Sequence, residues 1–232
     1  MIGYLALARE TFDVEFAESK FAKAKSLLIS LAPNAIGFDD LITNDDSAEN
    51  ALSFFNSNDC EKIFIFQTTF TDAKFLLNFA QTIKKPICIV SFPEPRTGGR
   101  LRLNSICGLN LGMHSLIKNS INAEFVIMDA DEKLNKSLFE GFISGNVIKD
   151  QHSWKEASLG NSQTNFDYSI DKQTIGIIGT RPEGFDTCDY DSNEVTNKLN
   201  VSLVDLELEE LFDEAKLVET DTIVKTKNTV SS

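Results

Sequence analysis

The arginines of this chain are few, and they lie where a ligand could be bound. Each of the five follows a short apolar segment that predicts a β-strand: Arg9, Arg96, Arg100, Arg102 and Arg181. In open α/β sheets, ligands bind beyond the carboxyl ends of the strands. A guanidinium supplies a planar, forked set of donors. The positions therefore predict binding of a polar ligand. The alternative is that arginines tie loops to carboxylates of the same chain.

The segment 91–105 (Ser-Phe-Pro-Glu-Pro-Arg-Thr-Gly-Gly-Arg-Leu-Arg-Leu-Asn-Ser) concentrates this feature. Two prolines stiffen its start, and Gly98-Gly99 permits backbone conformations that other residues avoid. Three arginines and Asn104 follow, close to a predicted helix start. Such a loop can present donors to a polyol or to a neighbouring subunit. No Gly-Lys-Ser/Thr follows the glycine pair, so a nucleotide-binding P-loop is not predicted.

Two other predicted strands also end in polar residues. The segment 67–72 (Gln-Thr-Thr-Phe-Thr-Asp) offers donors and acceptors that suit sugar hydroxyls, with Gln67 and Thr69 as candidates. The alternative is that this segment only caps the next helix. The segment 180–187 contains Arg181 and Asp186. The preceding Gly-Ile-Ile-Gly lacks the third glycine of a dinucleotide fingerprint, so a nicotinamide cofactor is poorly supported.

Residue types typical of a catalytic or metal centre are scarce. The two histidines, His114 and His152, have no second histidine or cysteine at ligand spacing. His114 falls in a predicted helix, where we expect a packed structural role. Carboxylates concentrate between 183 and 221, which predicts a solvated acidic face rather than a site. No catalytic or metal-binding residue is therefore predicted within this chain.

The elements that must position these residues alternate as βα units. Apolar runs predict strands at 2–8, 35–38, 62–67, 86–92 and 124–128. Amphipathic segments predict helices at 14–31, from about 47, and at 72–83, 105–118 and 131–148. The pattern predicts an α/β fold, a flavodoxin- or Rossmann-like parallel sheet with helices on both faces.

The domain organisation follows from the same pattern. We predict an N-terminal Rossmann-like domain over 1–149 and a linker or crossing loop over 150–173. An incomplete second α/β domain then covers 174–219, and 220–232 is a weakly patterned tail. Two strands and two helices cannot form a doubly wound sheet covered on both faces. We therefore expect a reading frame that continues past Ser232.

Charge and cysteine usage exclude several kinds of partner. The net charge of −13 opposes binding to nucleic acid or to an anionic membrane surface. The four cysteines form no C-x-x-C pair, which fits a reducing compartment. Neither a signal peptide nor a stretch of transmembrane length is visible. The expected location is the cytoplasm.

Several of these segments together resemble the N-terminal half of the L-fucose isomerase-like family, related more distantly to L-arabinose isomerase. The matching stretches are 8–14, 67–73, 92–105, 107–110 and 181–188, and the similarity runs from residue 2 to about 218. The resemblance implies aldose–ketose isomerisation, a divalent metal that is usually manganese, and a homo-oligomer. It also implies that the metal ligands lie in later segments, and that the N-terminal domain helps to close a neighbouring subunit's active site.

The resemblance sets the expectations for sites and activity. The candidates for substrate binding or a subunit interface are polar residues of the strand-end segments: Arg9, Gln67, Thr69, Arg96, Arg100, Arg102, Asn104, Asn110, Arg181 and Asp186. Gln67, Arg100, Arg102 and Asn104 are expected to converge at the carboxyl edge of the sheet. This chain alone should neither bind manganese tightly nor isomerise an aldose. The alternative is a stand-alone sugar-binding or regulatory module, and the sugar stays open.

Overall fold

The computed structural model describes residues 1–129, 135–146 and 172–230. The predicted linker over 150–173 lies almost wholly outside these residues. The strands are β1 (Ile2–Leu7), β2 (Ile36–Ile42), β3 (Lys62–Gln67), β4 (Ile87–Ser91), β5 (Glu124–Ile127), β6 (Thr174–Ile178) and β7 (Ser202–Leu206). The helices are α1 (Val14–Leu31), α2 (Asp45–Ser57), α3 (Lys74–Ile83), α4 (Ser105–Lys118), α5 (Asn135–Ser144), α6 (Ser192–Leu199), α7 (Leu208–Leu217) and α8 (Thr220–Val230).

The chain divides into two compact units. The first unit comprises the described residues up to 146 together with Glu183–Thr187, and the second unit comprises the other described residues from 172 onward. None of the helices in the described ranges is long and apolar enough to cross a membrane.

The first unit is built on a five-stranded sheet of order β2-β1-β3-β4-β5, and every neighbouring pair is parallel. This is the flavodoxin-like order, so the predicted fold class is confirmed. Strand β1 lies inside the sheet, between β2 and β3. The order of the strands reverses between β1 and β3, and ligands bind at such a switch point in open α/β sheets.

The core lies on both faces of this sheet because alternate side chains of each strand point to opposite faces. On one face, Phe64 and Phe66 of β3 pack with Phe139 of α5. On the other face, Ile63 and Ile65 join the cluster that α2, α3 and α4 contribute to. All of these side chains are fully buried. Strands buried on both faces produce continuous apolar runs, and such runs allowed the sequence to predict them.

Helix starts depend on single capping residues. Asp13 caps α1, and its side chain accepts a hydrogen bond from the Phe16 N–H at 3.0 Å. The sequence predicts that the second helix starts at about residue 47, whereas α2 starts at Asp45 and Asn44 is its cap. Ser47 completes a reciprocal capping box with Asn44, because the two members of such a box stand three residues apart.

In the described part of the second unit, β6 and β7 form a parallel pair. Helix α6 lies between these strands in sequence, and α7 and α8 follow β7. Among the described residues of this unit, only Val201 is buried. Helix α8 occupies the region that the sequence predicted to be a weakly patterned tail. Its threonines and valines also have weak helix propensity.

Candidate functional site

Three loops at the carboxyl edge of the first sheet form one continuous surface. We call them the β1 loop (8–13), the β3 loop (68–73) and the β4 loop (92–104). Hydrogen bonds join each loop to another: Arg9 N–H to Thr69 Oγ1 at 2.8 Å, Asp13 N–H to the Arg102 carbonyl at 3.0 Å, and Phe70 N–H to the Leu103 carbonyl at 2.8 Å. Loops that are bonded in this way can present a pre-organised surface to a ligand.

A crevice opens beside the switch point of the sheet. It is a cavity of about 480 Å³ at the carboxyl ends of β1 and β2, bounded by α2 and α3. Its polar lining includes Arg9, Thr43, Asn44, Asp72 and Asn78. This volume falls within the usual range for small-molecule sites, roughly 300–1,000 Å³.

Arg9 stands at the mouth of this crevice, with an exposed side chain. Its backbone N–H is bonded to the β3 loop. Within the part of the chain that the structure describes, its guanidinium has no hydrogen-bond or ion-pair partner. A forked donor without an internal partner can bind the hydroxyls or the anionic group of a ligand.

Arg102 ties the β4 loop to the start of α1. Its Nε and Nη2 atoms both lie 2.8 Å from Asp13 Oδ2, and its guanidinium carbon lies 3.8 Å from the centre of the Phe16 ring. The Phe16 backbone N–H and, second to it, the Arg102 side chain lower the pKa of Asp13. The alternative role for arginine, as a tie within the chain, therefore describes Arg102.

Arg100 and Arg96 lie on the same loop and are exposed. Arg100 Nη2 donates one hydrogen bond to the Thr11 carbonyl of the β1 loop at 3.1 Å. One bond to a carbonyl leaves other donors of that guanidinium pointing to solvent. Arg96 has no hydrogen-bond or ion-pair partner among the residues described. These two side chains, like Arg9, are available to a ligand.

Gln67 serves the protein interior. Its side chain is buried, and Nε2 donates to the Thr69 carbonyl at 2.7 Å and to Thr71 Oγ1 at 2.9 Å. It packs on Gly108, where a Cβ would lie 2.9 Å from Nε2. Both amide protons are therefore used to shape the β3 loop. In the same loop, Asp72 Oδ1 accepts a hydrogen bond from the N–H of Lys74, the first residue of α3, at 3.0 Å, although the N-cap position itself is Ala73.

The β4 loop is held by a carboxylate that sequence reasoning missed. Glu94 accepts hydrogen bonds from the backbone N–H groups of Arg102, Leu103 and Asn104, the last two at 3.0 Å. Asn104 adopts a left-handed conformation with φ of 50° directly before α4. A carboxylate is favourable beside the N-terminus of a helix. Glu94 stands some ten positions before that helix, and no local capping pattern spans such a distance.

The remaining candidates do not join this cluster. Asn110 is exposed on α4, and Arg181 belongs to the second unit, where it lies 3.6 Å from Asp189. Asp186 belongs to the first unit and accepts a hydrogen bond from Ser115 Oγ at 3.0 Å. His114 is exposed, so the expectation of a packed histidine is wrong; a helix position alone does not determine which face is buried. His152 lies outside the described residues.

The potential metal ligands of the described residues lie apart from one another. Within 1–129, 136–146 and 172–230, no group of three or more His, Cys, Asp or Glu side chains comes together in a way that could hold a metal ion. A tight divalent site needs several such ligands in fixed geometry. The described residues therefore do not fit the metal that the resemblance implies, and we assign them no chemistry that depends on it.

Comparison with known proteins supports the resemblance. The family model described as "Fucose/sulfoquinovose isomerase, N-terminal domain" matches residues 3–143. Sulfoquinovose isomerase of Priestia aryabhattai is 28% identical over 212 residues, which is 91% of this chain and 43% of that protein. Proteins of the same name are 26% identical over 213 residues in Alkalicoccus urumqiensis and 24% over 192 residues in Clostridium sp. (strain MSTE9). The chain thus spans less than half the length of these relatives.

Proposed function

The chain belongs to the fucose/sulfoquinovose isomerase family, and from this membership we propose that it forms the N-terminal part of an aldose–ketose sugar isomerase. One observation carries the proposal: Arg9 lies at the mouth of the switch-point crevice, within the residues that the family model matches. In this proposal the chain recognises the sugar and contributes to subunit assembly, while the groups that move protons lie outside it.

The described side chains suit recognition of a polyol. Arg9, Asn44 and Asn78 line one crevice, and together they offer both donors and acceptors. Arg96 and Arg100 add positive charge to a chain whose net charge is −13. Sulfoquinovose is a hexose that carries a sulfonate, and guanidinium groups bind such anions by forked hydrogen bonds. We therefore propose sulfoquinovose as the first sugar to test and L-fucose as the second.

The proposed reaction transfers protons between the first two carbons and their oxygens through an enediol. In this reaction the chain binds hydroxyls of the sugar and excludes water at the carboxyl edge of the first sheet. We further propose that the functional protein is a homo-oligomer in which this surface faces a neighbouring subunit's site. The divalent metal, expected to be manganese, would be held by residues beyond those described here.

The decisive experiment replaces Arg9 in the longer protein that contains this chain. We expect Arg9→Ala to lower kcat/KM for the sugar by about 10–100-fold, the range over which lost positioning acts. Because this side chain is exposed, the melting temperature should not change. Lys216→Ala on α7 removes the same charge from an exposed position and serves as the control. Equal turnover in the Arg9 and Lys216 variants would contradict the proposal.

A second experiment separates the isomerase from the alternative, a stand-alone sugar-binding module. The 232-residue chain is titrated with manganese by calorimetry at moderate salt, and the same sample is assayed for aldose-to-ketose conversion. We expect weak, salt-sensitive association and no turnover, because loose carboxylates attract divalent ions only by screened charge. Micromolar sugar binding by the chain alone would favour the module. Stoichiometric micromolar manganese binding with turnover would place the chemistry inside this chain.

A further inference from the structure

One short segment comes long after the first five strands in the sequence, yet it packs in the first unit. We call residues 183–187 (Glu-Gly-Phe-Asp-Thr) the strap. It follows β6 in the chain, but it belongs to the first unit. Three polar contacts join it to that unit: the Ala73 N–H donates to the Gly184 carbonyl at 3.2 Å, Lys74 Nζ lies 3.3 Å from Glu183 Oε2, and Ser115 Oγ donates to Asp186 Oδ2 at 3.0 Å. The ring centres of Phe70 and Phe185 also lie 5.8 Å apart.

The backbone of the strap approaches the β3 loop as closely as a glycine allows. Gly184 has φ of +80°, a conformation that other residues rarely adopt. A Cβ at this position would lie 3.0 Å from Asp72 Cβ. The close approach lets the Gly184 carbonyl accept the Ala73 N–H at the start of α3. Ala73 occupies the N-cap position of α3, so the strap holds the chain by its backbone directly at the start of this helix.

The aromatic contact holds a second point of the same loop, Phe70. Phe185 packs on Phe70, and Phe70 packs in turn on Phe12 of the β1 loop, with ring centres 6.2 Å apart. The β3 loop is thereby held between the strap on one side and the β1 loop on the other. Aromatic pairs of this kind contribute about 0.5–1.5 kcal/mol each beyond the area they bury.

We propose that Gly184 and Phe185 are positioning residues, which act through Phe70 and Ala73 to hold the β3 loop in the form that shapes the switch-point crevice. Thr71 and Asp72 of that loop line the crevice. That these residues affect sugar turnover rests on the proposed function, whereas their role in holding the β3 loop does not. Neither residue needs to touch the sugar.

The first test measures amide hydrogen exchange in the 232-residue chain. Gly184→Ala and Phe185→Ala should each speed exchange at residues 70–74 by roughly tenfold, because local opening becomes easier where tertiary contacts are lost. Gly179→Ala is the matched control: Gly179 has φ of +72°, and no atom of the residues that the structure describes lies within 4 Å of a Cβ built there. It carries the same backbone strain without the clash. Phe185→Tyr keeps the ring and should restore slow exchange.

The second test measures turnover in the longer protein. Phe185→Ala should raise KM by about tenfold with a smaller change in kcat, as expected when the crevice binds the substrate and the transition state less tightly to the same extent. Phe185→Tyr should restore KM. If residues 70–74 exchange no faster in the Gly184 and Phe185 variants than in the Gly179 variant, the proposal is overturned. Faster exchange with an unchanged KM would overturn the link to the site. Absence of isomerase activity in the wild type would count against the proposed function alone.

Discussion

The two units of this chain use the same local signals and reach different degrees of burial. In the first unit, strands β3 and β4 are buried on both faces, and Phe64 and Phe79 are completely inaccessible to solvent. In the second unit, Ile178 of β6 is 47% exposed and Phe212 of α7 is 55% exposed. Each unit nevertheless contains parallel strands followed by helices with identifiable starts.

Caps and ion pairs are enough to mark the start of a helix, but burial of an apolar face is needed to stabilise it. Helix α6 has an N-cap in Asp191 and an i,i+4 ion pair between Lys198 and Glu194. These features favour a helix by a few tenths to about 1 kcal/mol each. Most helical stability in proteins comes instead from burying an apolar face. The first unit has that burial on both faces of its sheet, and the second has the local features without it.

The largest test of this difference removes one ring from each unit. Phe64 is fully buried and contacts the rings of Phe139 and Phe142, so Phe64→Ala should lower the free energy of unfolding by about 3–5 kcal/mol. Phe212→Ala, the same change at an exposed position, should alter it by less than about 0.5 kcal/mol. Urea denaturation followed by circular dichroism measures both. Equal losses would mean that the second unit has a core that its exposure does not reveal.

A second test uses alkaline pH on the first unit. Burial, and next the hydrogen bond that Tyr4 donates to Asp39, raise the pKa of Tyr4 to about 12. Because the folded pKa lies above the unfolded value, the stabilisation is complete below pH ~10 and is lost between about pH 10 and 12. The loss should reach about 2–3 kcal/mol.

The control for this titration is a pair of Tyr→Phe variants. In Tyr4→Phe, the decline of the unfolding free energy between about pH 10 and 12 should largely disappear. Tyr190 of the second unit is 50% exposed, and Tyr190→Phe should follow the wild-type curve. A Tyr4→Phe protein that retains the full alkaline decline would assign the effect to other groups.

The fold was predictable because its strongest signals are long and periodic. The predicted limits of α1 at 14–31 and of α4 at 105–118 agree with the structure, and so do those of β3 at 62–67. These elements lie in the core, where the apolar pattern must match the period of the element. Helix α8 was missed because none of its side chains is buried, so no apolar stripe marks it.

The site was predictable only as far as the sheet order determines it. Parallel strands place the β1, β3 and β4 loops at one edge, so the arginines of the β1 and β4 loops share that edge, whereas Arg181 follows a strand of the second unit. The sequence does not show which guanidinium is already bonded within the chain. Arg102 is tied to Asp13 and stacks on Phe16, whereas Arg9 has no such partner among the described residues. Glu94 binds backbone groups eight to ten residues later, and the strap contacts residues more than a hundred positions earlier. No local sequence pattern predicts such contacts.

A smaller test compares helix caps in the two units. Asn44→Ala removes the capping box of α2 and should lower the unfolding free energy of the first unit by about 1 kcal/mol. Asp191→Ala removes the cap of α6, whose helix buries no residue. We expect a loss of helical signal at the lowest urea concentrations and an unchanged midpoint for the main transition. Equal midpoint shifts would indicate that both units unfold together.

The smallest effect is expected for one arginine–aspartate pair in each unit, Arg102–Asp13 in the first and Arg181–Asp189 in the second. Arg102→Ala removes a cation–π contact with Phe16, a contribution of about 0.5–1 kcal/mol at exposed sites. Arg181→Ala in the second unit should leave the midpoint of the main transition unchanged. The sign with pH follows from Asp13, whose pKa is lowered in the folded state, first by the Phe16 N–H and then by Arg102. The part of the Arg102 contribution that comes from pairing with Asp13 should be complete above pH ~4 and be lost as the pH falls below the folded pKa of Asp13, whereas the contact with the Phe16 ring does not depend on this titration. Urea denaturation of both variants at neutral and acid pH measures the change in unfolding free energy. If the Arg102→Ala variant differs from wild type by the same amount at both pH values, Arg102 contributes by stacking on Phe16 and not by pairing with Asp13.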